Sequence, residues 1–451
     1  MILLLLILSL FGILSLEYFS LKRDLSNPAF LFTLGFFTAS LILSCFVKKW
    51  SVDLHWTSFS VIILGNLGVY LGACACSKFF RTNKRIYITD TNNSPTKLVS
   101  LNGLIFLFAL QIAMYLLRIY LLKQFYGGSL PSALAAHTMA IKFGTEKALQ
   151  MPFGSSFFYG MAGTIGYVCA FLLPFYMMYK NISFRIKFWL WANFILCMIG
   201  SLLSSGRTAM ICLLISFASF YIISLNLRKI KIKINVILKW LTVAFLFLFS
   251  FQQLGYVIGR EESESNWFDE IGIYCGAEIQ NLDDFIEEPK FQNYDNLYGQ
   301  LTFNLFYNKF GYLIGVNQLI TEGRDYHRFN YRNEYSLGNV DTALQHYWYD
   351  FGITGTFILC LFIGIFMQAL YKLITRSRNI WIKGYITPYL FVYSIMIPTT
   401  FMSFFSEAFF EKIVQLFDFR FWTTYILIYI PLYKKNLAKK TSFISSSKRF
   451  M

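Results

Sequence analysis

This sequence is short of charge, of histidine and of anything that reads as a metal motif. Asp, Glu, Lys and Arg make up 14% of the 451 residues and apolar residues 56%, whereas a soluble domain carries roughly 25% charged residues. A soluble enzyme is therefore excluded, and a polytopic membrane protein is indicated. The four histidines, His55, His137, His327 and His346, are scattered, and no HExxH, DxD or clustered His/Cys set occurs. Chemistry without a metal or cofactor is expected on that basis, with Ca²⁺ or Mg²⁺ left open by the number of carboxylates. Cysteine gives no disulfide framework either: Cys45, Cys74, Cys76, Cys169, Cys197, Cys212 and Cys360 lie in apolar segments, and Cys275 stands alone in a polar one. Cys74 and Cys76, two apart on a helix, do not face the same way and read as small buried hydrophobes. Met1 to Phe19 lacks a basic n-region and a small-residue cleavage site, and Glu17 falls where cleavage would occur, so it reads as a retained first span.

The formal charge of +16 raises the question of nucleic acid. Its cations, however, sit in short runs beside apolar segments, which is the positive-inside pattern of a membrane protein and leaves no nucleic-acid partner. A hydrocarbon core needs roughly 20 helical residues. On that measure eleven spans, or twelve at most, fall near 1–20, 29–47, 57–77, 101–123, 156–179, 186–203, 208–226, 236–258, 347–371, 384–404 and 421–434. The expected fold class is an all-α polytopic membrane protein. Basic runs at 78–97, 228–239, 372–383 and 434–440 alternate consistently and define the cytoplasmic side. The N-terminus then lies outside, the C-terminus inside, and all four histidines fall outside. Lys48 and Lys49 break the rule, since they occupy a short external turn. The Ser/Lys-rich tail, 435–451, is expected to be disordered after Lys440.

What the chain does possess is one long polar interval. From Gly259 to His346 there are fifteen carboxylates against six cations, a net of −9, so the remainder carries +25. The organisation is thus spans one to eight in 1–258 with a smaller external loop at 124–155, an external cap at 259–346, and the last three spans in 347–434. A structureless loop of that length is uncommon in a compact protein. The stretches Ala277 to Ile286 and Leu297 to Leu313 have helix-compatible apolar spacing, and the second reads as an interfacial helix.

Four constellations are candidates for chemistry. Ser204-Ser205-Gly206-Arg207-Thr208 sits at the external junction of spans six and seven, where a guanidinium, backbone N–H groups and a helix N-terminus converge in a way that suits a diphosphate. Arg260 follows span eight directly. Arg324-Asp325-Tyr326-His327-Arg328-Phe329-Asn330-Tyr331-Arg332 is a cationic island in acidic surroundings, either one helix face or a loop, with Tyr326 and Tyr331 as stacking surfaces for sugar rings. Asn339-Val340-Asp341-Thr342 leads through His346 to Asp350-Phe351-Gly352. There, Asp341 or Asn339 caps the entering helix, or Asp341 or His346 acts as a base with Asp350 as its orienting partner. Glu278 and Asp350 are candidates for sugar hydroxyls, and His327 is a further candidate for proton transfer.

These motifs resemble those of the O-antigen polymerase (Wzy-type oligosaccharide repeat-unit polymerase) family of bacterial inner membranes. The resemblance runs nearly the whole length: Asp24-Leu25-Ser26-Asn27-Pro28, the Ser-Gly-Arg-Thr step at 205–208, Tyr274-Cys275-Gly276-Ala277-Glu278-Ile279 with Leu282-Asp283-Asp284-Phe285, Thr302-Phe303, and Asn339-Val340-Asp341-Thr342 with Asp350-Phe351-Gly352 and Gly355. It implies a GT-C-like bundle with a large periplasmic helical loop. It also implies inverting glycosyl transfer, without cofactor, from an undecaprenyl-diphosphate-linked chain to a lipid-linked repeat unit at the periplasmic face, with a chain-length co-polymerase as partner. Arg207, Thr208, Arg260, Arg328 and Arg332 are the residues expected on the diphosphate. The paired Arg-x10-Gly motifs of some members are absent, and Asp341-Thr342 stands where the related O-antigen ligases carry a His-Asn pair. A ligase-type transfer remains an alternative within enzymes; a lipid-linked glycan flippase is the alternative outside them, for which the mid-span positions hold too little charge.

Overall fold

A computed structural model describes residues 1–79, 87–88, 95, 97–143, 153–204, 208–230, 267–288, 298–316 and 330–447. The described chain is mostly helical: α1 (Ile2–Ser20), α2 (Pro28–Ser44), α3 (Trp56–Phe79), α4 (Leu101–Tyr126), α5 (Leu130–Phe143), α6 (Phe153–Met177), α7 (Phe184–Ser201), α8 (Thr208–Leu227), α9 (Trp267–Cys275), α10 (Ala277–Glu287), α11 (Asn304–Ile314), α12 (Ala343–Thr375), α13 (Arg378–Trp381), α14 (Pro388–Phe401), α15 (Phe409–Leu416) and α16 (Phe419–Ser447). Six of these, α1, α3, α4, α6, α8 and α12, are long and apolar enough to cross a membrane, and α15 with α16 makes a seventh if that pair, bent by 77°, is one span. The chain is an all-α polytopic membrane protein, with α2 and Pro388–Phe404 as shorter apolar helices. The span expected at 236–258 lies outside the described residues.

The bundle is organised on the α3 and α12 pair, and glycine sets how close they come. A Cβ at Gly68 would stand 2.7 Å from the Phe357 carbonyl oxygen and 3.1 Å from Cys360 Cβ. Small residues let helix backbones approach where lipid supplies no hydrophobic drive. Gly68→Val forces the pair apart, and overpacking of this kind costs about 2 kcal/mol. The expected outcome is a lower melting temperature for the purified variant in nanodiscs; an unchanged one removes this contact from the account.

The face carrying the basic runs is knitted by the Asp24 to Pro28 turn. Asp24 Oδ1 accepts from the Ser26 amide (3.1 Å), the Ser26 hydroxyl (2.6 Å) and Asn226 Nδ2 of α8 (2.7 Å), and its other oxygen accepts from the Tyr371 hydroxyl of α12. Asn27 caps α2 through the Ala29 amide (3.0 Å) and donates to Gln368 (3.0 Å). The motif is thus a polar clamp across three helices.

On the other face sits the cap. Asp283, at the buried side of α10, accepts from the His55 amide (2.8 Å), from His55 Nδ1 (3.0 Å) and from the Ser58 hydroxyl. In effect it supplies from outside the N-terminal capping group that α3 lacks. The carboxylate hydrogen-bonded to His55 raises the imidazole above its ordinary value. Lys49 reaches Asp269 at 2.6 Å and lies 4.6 Å over the Tyr335 ring, so this basic residue belongs to the same face as the acidic segment. That contact accounts for the lysine that departs from the positive-inside pattern.

Three expectations are corrected. Of the run Arg324 to Arg332, read as one helix face or a loop, 324–329 lie outside the described residues and Asn330–Arg332 is the first strand, β1, of an antiparallel hairpin with β2 (Tyr335–Gly338); Tyr331 and Tyr335 bring β-propensity, and Asn333-Glu334 takes the left-handed turn with φ of 47° and 67°. The helix after the cap is N-capped by Thr342, whose hydroxyl accepts from the Gln345 amide at 3.3 Å, not by Asp341 or Asn339. The tail is helical as far as Ser447, because after Pro431 no Pro or Gly interrupts a Lys-, Ala- and Leu-containing run of good helix formers. By contrast, α10 matches the stretch Ala277 to Ile286 with one residue added, and α11 takes up the second part of the stretch Leu297 to Leu313, ending one residue beyond it.

Candidate functional site

The site begins with an oddity of α10. A short surface helix hides one stripe, but here Glu278, Gln280, Asn281 and Asp283 are all buried, because the helix is packed among α2, α3, α12 and β2. Asp283 and Gln280 have partners: Gln280 Nε2 donates to Asp284 at 2.9 Å. Glu278 does not. It is 0% exposed, and neither of its oxygens has a hydrogen-bond partner from another described residue.

Asp341 stands beside it, in the extended segment between β2 and α12, and is partly exposed. That segment is held by Asn281, one turn along α10 from Glu278, whose Nδ2 donates to the carbonyls of Leu337 (3.3 Å) and Val340 (2.8 Å). Since Thr342 does the capping, the Asp341 carboxylate is left for other work; the side chain of Gln345, four residues on, hydrogen-bonds it. Burial, and then the neighbouring Asp341 charge, hold the Glu278 carboxyl well above the usual carboxylate range, with only its own backbone N–H favouring the charged form. Burial pushes Asp341 up to about 7, against the opposing Gln345 bond. Two carboxylates, one sealed and one facing out, share a place with no cation described beside them.

No protein-family model, no curated protein and no solved structure matches the chain.

Around the pair, the first turns of α12 carry further polar groups. His346 is half-buried there. Tyr347, fully buried, donates its hydroxyl to Glu407 at 2.5 Å, and Glu407 also accepts from the Phe410 amide at 2.7 Å, capping α15. Burial pushes the Glu407 carboxyl up to about 8. Asp350 accepts from the backbone amides of Leu301 (3.3 Å) and Thr302 (2.6 Å), so it braces the turn before α11 and does not orient a base. Arg332 is engaged by Asp284 at 2.8 Å and by the Ser51 carbonyl at 2.7 Å, which makes it a pin between hairpin and cap. Tyr331, 66% exposed, keeps a free aromatic face on the cap surface.

The diphosphate candidates are described only in part. Arg207, Arg260, Arg328, Tyr326 and His327 lie outside the described residues, whereas Thr208 opens α8 on the cap side. Near that end stands a cation the motifs did not single out. Arg118 of α4 donates to His137 Nε2 at 2.6 Å, lies 5.2 Å over the Tyr159 ring, and Tyr159 in turn bonds the Gly200 carbonyl at 3.0 Å, beside the turn Leu202–Ser204 that leads to Thr208. His137 therefore accepts at Nε2 and donates from Nδ1 to Tyr126 (3.1 Å); burial and the guanidinium push it down to about 4. Lys412 of α15 is within electrostatic reach of Cys212, one turn into α8. Sequence reasoning missed Asn281, Gln345, Glu407, Arg118 and Lys412. For Asn281 a signal existed, since it is three residues from Glu278, the spacing of neighbours on a helix face. No group of three or more His, Cys, Asp or Glu stands together as a metal cluster among the described residues.

Proposed function

We propose that the chain is a membrane glycosyltransferase that polymerises undecaprenyl-diphosphate-linked oligosaccharide repeat units at the periplasmic face of the bacterial inner membrane. In this reading the cap face is periplasmic and the bundle is GT-C-like with eleven spans. The observation that carries it is the position of the Asp341 and Glu278 pair. A partly exposed carboxylate backed by a sealed one stands where the polar cap meets the apolar spans. A sugar on a bilayer-anchored lipid must present its reacting atoms at that level.

The step breaks the bond between the donor's anomeric carbon and its phosphate oxygen and forms a glycosidic bond to a hydroxyl of the acceptor's non-reducing sugar, with inversion. The hydroxyl proton goes to a base, for which Asp341 and His346 are the groups in place; its transfer requires hydrogen-bond reach at the moment of attack. Undecaprenyl diphosphate leaves. Arg118, Lys412 and the N-terminal end of α8 at Thr208, joined by Arg207, supply the cationic end that a departing diphosphate needs. The lipid tails lie along the apolar helices, and a chain-length co-polymerase acts on the same product.

The test is deletion of the gene in its host with lipopolysaccharide resolved on a gel. Core bearing one repeat unit and no ladder is the expected pattern. A ladder of normal length sinks the reading, and core without any repeat points to the ligase-type transfer instead.

A further inference from the structure

Among the described residues, Glu278 is a fully buried carboxylate with both oxygens unpartnered by any other residue, and it lies next to a second carboxylate, Asp341. Two amide side chains at the same place show the same deficit. Asn281 is 0% exposed and its Oδ1 meets no donor; Gln345 is 2% exposed and its Oε1 meets none. The amide of Asn281 cannot simply be turned over, because its nitrogen donates to two carbonyls, Leu337 and Val340, and only an N–H can do so. Gln345 likewise points its nitrogen at Asp341. In both amides the nitrogen is committed and the oxygen is left without a donor.

We propose that Glu278, Asp341, Asn281 and Gln345 form a binding site for a hard divalent cation, Ca²⁺ ahead of Mg²⁺. Burying unpaired carboxylate is costly unless a counter-charge arrives, and two carboxylates ask for two positive charges. A single shared proton supplies one and leaves both amide oxygens without a donor. Two carboxylates, each binding through one or both oxygens, and two amide oxygens give about four to six donors, all oxygen, which is the hard-cation set. Such a set, assembled from flexible side chains on three different segments, suits the variable geometry of Ca²⁺ better than the strict octahedron of Mg²⁺. The ligands come from positions 278, 281, 341 and 345, so no contiguous motif announces them. The bound ion would lock α10 to the segment that leads into α12, and it would put positive charge beside the partly exposed edge of Asp341.

This site stands on the side chains themselves, and its test needs no turnover. The full chain, purified in nanodiscs and stripped with chelator, is titrated with CaCl₂ alone while its melting temperature is followed. A saturable rise on the order of 4 °C is expected, with MgCl₂ weaker and NaCl at equal ionic strength without effect. Glu278→Gln is expected to melt higher than the wild type in chelator, since a buried repulsion is gone, and to lose the calcium response; Asp341→Asn is expected to lose it too. No calcium response in the wild type, or a response that survives in both variants, overturns the proposal, the first result leaving a proton-sharing pair in its place. A chain that binds calcium but whose deletion leaves the ladder intact keeps the site and removes the polymerase reading.

Discussion

If the chain is the polymerase proposed above, Asp341→Asn is expected to abolish the polymer ladder. In a strain lacking the chromosomal copy, plasmid-borne wild type restores long chains, and the variant is expected to leave core plus one repeat, with at least about 100-fold less polymer, the lower end of what a positioned proton-transfer group contributes. Abundance in the membrane is expected to hold. The replacement is nearly isosteric at a partly exposed position, the capping of α12 belongs to Thr342, and loss of one charge relieves Glu278. Glu334→Gln, in the exposed turn of the hairpin, carries the same chemical change away from the site and is expected to leave the ladder as it was. Densitometry of the lipopolysaccharide with immunoblotting of the membrane fraction reads both; a wild-type ladder from Asp341→Asn takes this residue out of the reaction.

The second large effect is on folding. Asp283→Ala removes a buried acceptor that serves the His55 amide, the His55 ring and the Ser58 hydroxyl together; a buried donor left without a partner, here Ser58, costs about 1–3 kcal/mol, and the exposed His55 adds the smaller net worth of its own bonds. A loss of about 3 kcal/mol is expected, read as a fall in melting temperature and as faster proteolysis within the cap while the spans stay protected. The pair with His55 adds a pH signature. Its imidazole is raised in the folded protein, so that contribution is complete below the ordinary value of about 6.5 and is lost as pH rises through the raised one. The gap between wild type and Asp283→Ala is therefore wider at about pH 5.5 than at about pH 9. An equal gap at the two values assigns the whole effect to Ser58 and the backbone amide.

Hydropathy reads length and polarity, and so the six long apolar helices were legible, as was the segregation of an acidic cap from basic runs. What hydropathy does not read is who meets whom across the cap. Lys49 looked misplaced until Asp269 was found against it. Asp283 and Asp284 looked like two more solvated carboxylates, yet one caps a distant helix and the other fixes Arg332, because α10 is sunk among neighbours that its own sequence does not name. Asp350 was legible as a buried acid but not as a brace for the Leu301 and Thr302 amides, a partnership of 48 to 49 residues' separation. At the site itself, Asp341 and Glu278 were each visible as candidates. Their adjacency was not, since it depends on Asn281 drawing the Val340 carbonyl onto α10.

The long helix α12 is interrupted at Gly352, where φ is 65° and ψ −168°, a conformation that glycine adopts at little cost. On the near side of that joint, Tyr347 and Asp350 are fastened to Glu407 and to the 301–302 amides; on the far side, Gly364 lies against α3. The first two turns of α12 thus have anchors of their own, Glu407 and the 301–302 amides, besides the Leu344 contact with Gly65 of α3, and Gly352 is the joint at which one helix passes from that largely polar set of anchors to close packing on α3.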